Sequence, residues 1–203
     1  GSSSTGMYLR DFLYLGFNED EEHRRGFDAI NIHIPGSHRL FANVAFADPN
    51  TYSRQDDRHH FLSTSYPPMQ FAVVTDPLTG IRDGILKRPA TDPLVFQVDT
   101  ENEFYTMKAS LNVHDGIGRP VFVPDNVRLY LLSNFQHSGG NPTLAVPGSN
   151  DLCANPTNPN YHGPTHRALI MALDAWADRG QAPPPSRYPQ VTDGTLVSIS
   201  QYS

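Results

Sequence analysis

The chain has 203 residues, a net charge of −6 and a 10% aromatic share. It is long enough to bury one sizeable core, but it offers no basic field with which to displace counterions from a nucleic acid. The only cysteine, Cys153, excludes an internal disulfide framework and argues against a cysteine-based metal site. No apolar run is long enough to span a bilayer, and composition leaves the compartment undecided. Eighteen prolines and fifteen glycines point to long, ordered loops.

Taken in order, Gly1 to Gly6 is small and polar and runs into Met7-Tyr8-Leu9-Arg10-Asp11-Phe12-Leu13-Tyr14-Leu15. Leu9, Phe12, Leu13 and Phe17 recur at helical spacing, with Gly16 near the stop. The helix is apolar on most sides, which suits a buried element. Phe27 to Ile34 reads as a short strand closed by Pro35-Gly36. From Ser37 to Pro89 there is no strong period but much turn chemistry, as in Asp76-Pro77-Leu78-Thr79-Gly80. Such an excursion is expected to be a lid or insertion.

Pro93 to Val98 and Val127 to Leu132 are compact apolar runs, the pattern of strands buried on both faces. Phe104 to Leu111 is a candidate short helix between them. Arg167 to Arg179 is the clearest helix, with Leu169, Ala172, Leu173 and Trp176 on one stripe and Gly180 as its cap. Pro183-Pro184-Pro185 then forces an extended segment. There are no internal repeats. The alternation of helices and strands predicts a mostly parallel α/β sheet with helices on both faces.

Gly1-Ser2-Ser3-Ser4-Thr5-Gly6 stands directly before the first helix. A turn that presents a nucleophilic serine needs small neighbours, because its backbone is strained and its flanks must clear a strand and a helix. The helix N-terminus behind it favours developing negative charge. The common form of this turn is G-x-S-x-G. Here the glycine falls one place later, at Gly6.

The longer run GSSSTGMYLRDFLYLGFNED resembles the nucleophile turn and following helix of a poorly characterised alpha/beta-hydrolase domain family. That family has the pattern G-x-S-x-[ST]-G-x-x-x-R-x-F-L-Y-x-G-F-N-x-D, matched here by Gly1, Ser3, Thr5, Gly6, Arg10, Phe12, Leu13, Tyr14, Gly16, Phe17, Asn18 and Asp20. Asp76 to Gly80, Asp83 to Leu86, Ala109 to Leu111, Val127 to Tyr130, Gln136-His137 and Ala182 to Pro189 look like the same family. So does Glu103-Phe104-Tyr105, where the family usually has Glu-Tyr-Trp. The resemblance covers nearly the whole chain. A cloning leader is the competing reading of Gly1 to Ser4, but a random leader would not run in register into the family's helix. A Ser/Thr cap for the first helix is compatible with either.

The resemblance implies an α/β-hydrolase fold of which this chain is the C-terminal part, with the earlier strands lying N-terminal to it; the piece alone is then expected to expose a sheet edge and to be an inactive or unstable hydrolase fragment. It implies a serine hydrolase acting on a small ester through an acyl-enzyme, with Ser3 as nucleophile and the Ser4 backbone N–H as one oxyanion donor. The second donor would come from an earlier loop. Triad order in this fold places the acid and then the histidine after later strands. His137 closely follows Val127 to Leu132 and is flanked by Ser138-Gly139-Gly140, which makes it the candidate base. Asp99, Glu101 and Glu103 all follow Pro93 to Val98, and position alone allows any of them. The resemblance favours Glu103.

The other histidines have blander readings. His33 suits a core position within a strand, and His59-His60 suits loop packing. His114 precedes a turn at Asp115-Gly116. His162 and His166 have metal-like spacing but no supporting carboxylate or cysteine of known position. His23 and His38 have no informative context. No metal or cofactor is expected. Tyr52, Phe61, Tyr66 and Phe71 are candidates to line an acyl pocket, against the stronger reading that they pack the excursion onto the body. The rival class is a noncatalytic binding or structural domain. It would treat Gly1 to Ser4 as a leader and His137 as incidental, and it predicts a strand rather than a helix over Met7 to Phe17.

Overall fold

The computed structural model describes residues 1–40, 67–138, 140 and 158–201. Helix α1 spans Ser4–Leu15 and ends at Gly16, whose φ of 87° is left-handed. The Phe17 N–H then bonds back to the Phe12 carbonyl and closes the last turn. The helix begins three residues before Met7, so Ser4, Thr5 and Gly6 form its first turn. Its apolar pattern does not translate into uniform burial. Arg10 and Asp11 are buried, whereas Tyr8 is 45% exposed. The reason is a polar network, described below, that takes the Arg10 guanidinium into the interior.

Strands β1 (Ala29–His33), β4 (Leu94–Thr100) and β5 (Val127–Leu132) form a parallel sheet in the order β1-β4-β5. Ile32 pairs with Gln97 and Val98 with Tyr130, which fixes the register. The two-residue strands β2 (Val74–Thr75) and β3 (Arg82–Asp83) make a small antiparallel hairpin around Asp76 to Gly80. Helix α2 covers Glu101–Thr106, and α3 covers Gly163–Arg179 with Gly180 as a left-handed cap.

Alternation along the strands divides the interior in two. Ile30, Ile32, Val95, Val127 and Leu129 face a core that also holds Leu13 of α1, Phe71, Ile85 and Tyr188. Phe96, Val98 and Tyr130 face the other way and meet Leu173, Leu169, Ala172 and Trp176 of α3. The expected stripe on α3 is thus the surface that covers the second face. The fold is α/β, with a parallel sheet and helices on both sides.

Two local expectations are corrected. The helix proposed over Phe104 to Leu111 is two pieces. α2 starts at Glu101 and stops at Thr106, Lys108 turns left-handed at φ 51°, and a separate 3-10 turn runs Ala109–Asn112. Within the excursion, residues 67–89 are part of the body, because Phe71, Ile85 and Leu86 lie in the first core. Phe71 is only 2% exposed and packs within that core. The middle of the excursion, with Tyr52, His59, His60, Phe61 and Tyr66, lies outside the described residues, as do Gly139 and Cys153. Among the described residues no helix is long and apolar enough to cross a membrane.

Candidate active site

Gly1 and Ser2 run alongside β1 at the sheet edge. Ser2 and His33 form a parallel bridge, the His33 N–H donates to the Gly1 carbonyl at 2.8 Å, and the Ser3 N–H donates to the His33 carbonyl at 2.9 Å. The chain then turns within one residue into α1. Ser3 takes φ 55° and ψ −123°, a conformation a side chain rarely adopts and that costs about 1 to 3 kcal/mol unless the surroundings enforce it. Close approach dictates the glycines on either side. A Cβ on Gly6 would sit 2.8 Å from the His33 carbonyl oxygen, and one on Gly1 would sit 2.6 Å from that of Thr5. The Ser4 N–H opens α1, next to Ser3, and as the first amide of the helix has no acceptor one turn back within it.

β4 leads into the segment that carries Glu103. Thr100 ends the strand and Glu103 lies three residues on, in the first turn of α2. Its Oε2 accepts from the Thr100 N–H at 2.7 Å and from the Thr100 hydroxyl at 2.6 Å. This reach back across the helix start is half of a capping box, and it aims the other oxygen outward. Oε1 pairs with Nδ1 of His137 at 2.6 Å. The Glu103 side chain is wholly buried, whereas that of His137 is 33% exposed. His137 lies five residues past β5. Its Nε2 is 2.9 Å from the Ser3 Oγ. Three residues from three separate segments therefore form one continuous hydrogen-bonded chain.

Asp99 and Glu101 are not part of it. Asp99 turns to the α1 face of the sheet, where it accepts from the Gly36 N–H, the Gln97 amide and the Tyr188 hydroxyl. Burial pushes its carboxyl up to about 6 despite those donors. Glu101 is half-buried at the start of α2, and the carboxylate that meets His137 is Glu103. His114 sits two residues past the 3-10 turn, bonded to the Ser110 carbonyl and the Val191 N–H, and Asp115 caps its own turn through the Ile117 and Arg119 N–H groups. His23 pairs with Glu19 at the surface.

Two residues that sequence reasoning passed over also belong here. Thr100 is one, and the Thr100-x-x-Glu103 spacing was a readable capping signature. His33 is the other. Its Nδ1 shares a hydrogen bond with the Ser2 hydroxyl at 2.9 Å, and its ring lies 4.2 Å from that of His166 and 5.0 Å from that of His162. Burial, reinforced by the neighbouring imidazoles, lowers the His33 imidazole to about 3. Burial lowers His162 and His166 as well. No group of histidine, cysteine, aspartate or glutamate among the described residues has the convergence needed to hold a metal ion.

The model of a family described as an alpha/beta hydrolase domain matches residues 1–200. The chain belongs to that alpha/beta-hydrolase domain family. A hydrolase-type function goes with that membership. No curated protein and no solved structure matches the chain. The match begins at Gly1, so the turn at Ser3 lies inside the family's domain and not ahead of it.

Proposed function

We propose that the protein is a serine hydrolase that cleaves a carboxylic ester through an acyl-enzyme, with Ser3, His137 and Glu103 as its triad. The observation that carries this reading is the unbroken chain from the Ser3 hydroxyl to the His137 ring at 2.9 Å and on to Glu103 at 2.6 Å. Glu103, held by Thr100, accepts from the His137 Nδ1–H, which leaves Nε2 free to accept the Ser3 proton. The alkoxide oxygen attacks the ester carbonyl, and the Ser4 N–H at the head of α1 donates to the developing oxyanion. One such donor is worth about 2.7 to 4 kcal/mol of transition-state stabilisation. His137 then protonates the leaving alcohol. Water, activated by the same ring, releases the acid. Preference for an ester over an amide rests on family analogy.

The rival binding-domain reading required a strand over Met7 to Phe17 and an incidental His137. The helix over Ser4–Leu15 and the Ser3–His137 contact favour the hydrolase. Hydrolysis of p-nitrophenyl acetate by the purified protein tests it. Ser3→Ala should reduce turnover to background. Glu103→Gln should lower kcat by about 10³ to 10⁴-fold, since the amide no longer fixes the working tautomer of the histidine. Hydrolysis that survives Ser3→Ala intact would contradict the proposal.

A further inference from the structure

We infer that His33 is a positioning residue for the nucleophile, holding the strained Ser3 turn through its backbone and through the Ser2 hydroxyl. This rests on the Ser3 reading above and adds a residue to it.

Apart from the Gly1 amine, which donates to the Asn31 carbonyl at 3.0 Å, the restraints on the turn from the sheet side converge on this one position. The His33 N–H fixes the Gly1 carbonyl, and the His33 carbonyl takes the Ser3 N–H. The same carbonyl is the atom that Gly6 must clear. The Ser3 N–H is thereby committed to the sheet, which leaves the Ser4 N–H as the donor next to the nucleophile. The side chain adds a contact that the backbone cannot. With its proton on Nε2, neutral His33 accepts from the Ser2 hydroxyl at Nδ1. Ser2 is held a second time, since its N–H donates to the Thr5 hydroxyl at 2.7 Å and its carbonyl accepts from that hydroxyl at 2.6 Å. Ser3 therefore lies between a clamped residue and a helix, and a positive φ persists only where the surroundings over-determine it.

The face of the ring is fixed too. His166 and His162, from the start of α3, pack against His33 on the side away from α1. The His166 Nε2 lies 3.3 Å from the Asn31 amide on the same strand face. The groups facing His33 are thus His162 and His166 from α3, His137 from the loop after β5, and the amine of Gly1, none of them an acid. In these surroundings the ring stays neutral, so Nδ1 remains available as an acceptor for Ser2. A one-ångström displacement of the reacting atoms can cost about 10²-fold in rate, so a clamp this close to Ser3 should act on the chemical step and not on binding.

Full-length protein reacted with a fluorophosphonate separates the two. The inactivation rate constant kinact reports the Ser3 chemistry and KI reports probe binding. His33→Phe, which keeps the ring packing but removes the acceptor, should lower kinact by about 10²-fold with KI unchanged. Ser2→Ala, which leaves the fold alone, should also lower kinact without changing KI or Tm. His33→Asn, whose amide oxygen can take the place of Nδ1, should recover most of the loss. Wild-type kinact in both Ser2→Ala and His33→Phe overturns the inference. So does a His33→Asn variant as impaired as His33→Phe with Tm falling in step, because that marks a merely structural residue. A wild-type protein that takes no label overturns the Ser3 reading and this inference with it. A labelled wild type with equally labelled variants overturns the inference alone.

Discussion

The two faces of the sheet bury polar groups in opposite ways. On the α1 side, Arg10 donates to the Gln97 and Asn112 side chains and to the Ser37 and Met69 carbonyls. Gln97 and Asn112 in turn reach Asp99 and the Gly36 carbonyl, and Tyr188 closes the circuit between Asn112 and Asp99. Nearly every polar atom there has a partner. On the α3 side, Nε2 of His33, both ring nitrogens of His162 and Nδ1 of His166 are buried with none among the described residues. The first arrangement ties α1, β4, the 3-10 turn and Tyr188 into one rigid unit behind the turn at Ser3. The second leaves packed imidazole rings, several of their nitrogens unpartnered, beside the turn at Ser3. Paired groups lose much when one member goes, whereas unpartnered ones lose little.

The contrast can be broken most forcefully at Arg10. Arg10→Met removes the shared donor and leaves Gln97, Asn112 and two carbonyls without it. Chemical denaturation should show a loss of about 3 to 5 kcal/mol, the scale for breaking a buried charged network from one side. A loss under about 1 kcal/mol would mean that the network adds no rigidity to the turn.

Part of the acid sensitivity should come from the other face, beside that of His38, which burial lowers to about 4. His33, His162 and His166 all have imidazoles lowered by burial, His33 to about 3. The unfolded chain takes up their protons near 6.5 and the folded chain only at lower pH. Unfolded protein therefore binds more protons in that window, and stability falls as pH drops from about 6.5 towards 3. A midpoint-versus-pH series should show this slope, and His33→Phe should flatten it. An unchanged slope in that variant would place the acid sensitivity elsewhere. The smallest effect is expected at His162→Phe. The ring packs against Phe135, His33 and Tyr161 but forms no hydrogen bond, so the change should move stability by less than about 1 kcal/mol. A loss as large as that of Arg10→Met would erase the distinction between the faces.

The same contrast explains what the sequence made legible. Strands β4 and β5 and helix α3 announce themselves because their burial is apolar, as in Val127 to Leu132 and the stripe from Leu169 to Trp176. Glycine at 1, 6 and 16 marks the turn and the helix end because backbone approach and a left-handed φ demand it. The buried polar parts were harder. Arg10 and Asp11 count as surface residues by type, and only the distant partners Gln97, Asn112 and Arg39 make their burial possible. Asp99, Glu101 and Glu103 are alike in position along the chain. Alternation sends Asp99 to the α1 side, and Thr100 orients Glu103. The Thr-x-x-Glu spacing held that second fact, but its link to His137 is a tertiary one. The Ser2–His33 pair has no signature, since a serine and a histidine 31 residues apart meet only through strand pairing.

The central claim is that Ser3 is an activated nucleophile. The most direct test is to treat the full-length protein with a fluorophosphonate and locate the adduct by peptide mass. The account predicts one equivalent of label on Ser3, lost in Ser3→Ala and in His137→Ala. A folded protein that stays unlabelled, or that is labelled equally well without His137, would contradict it.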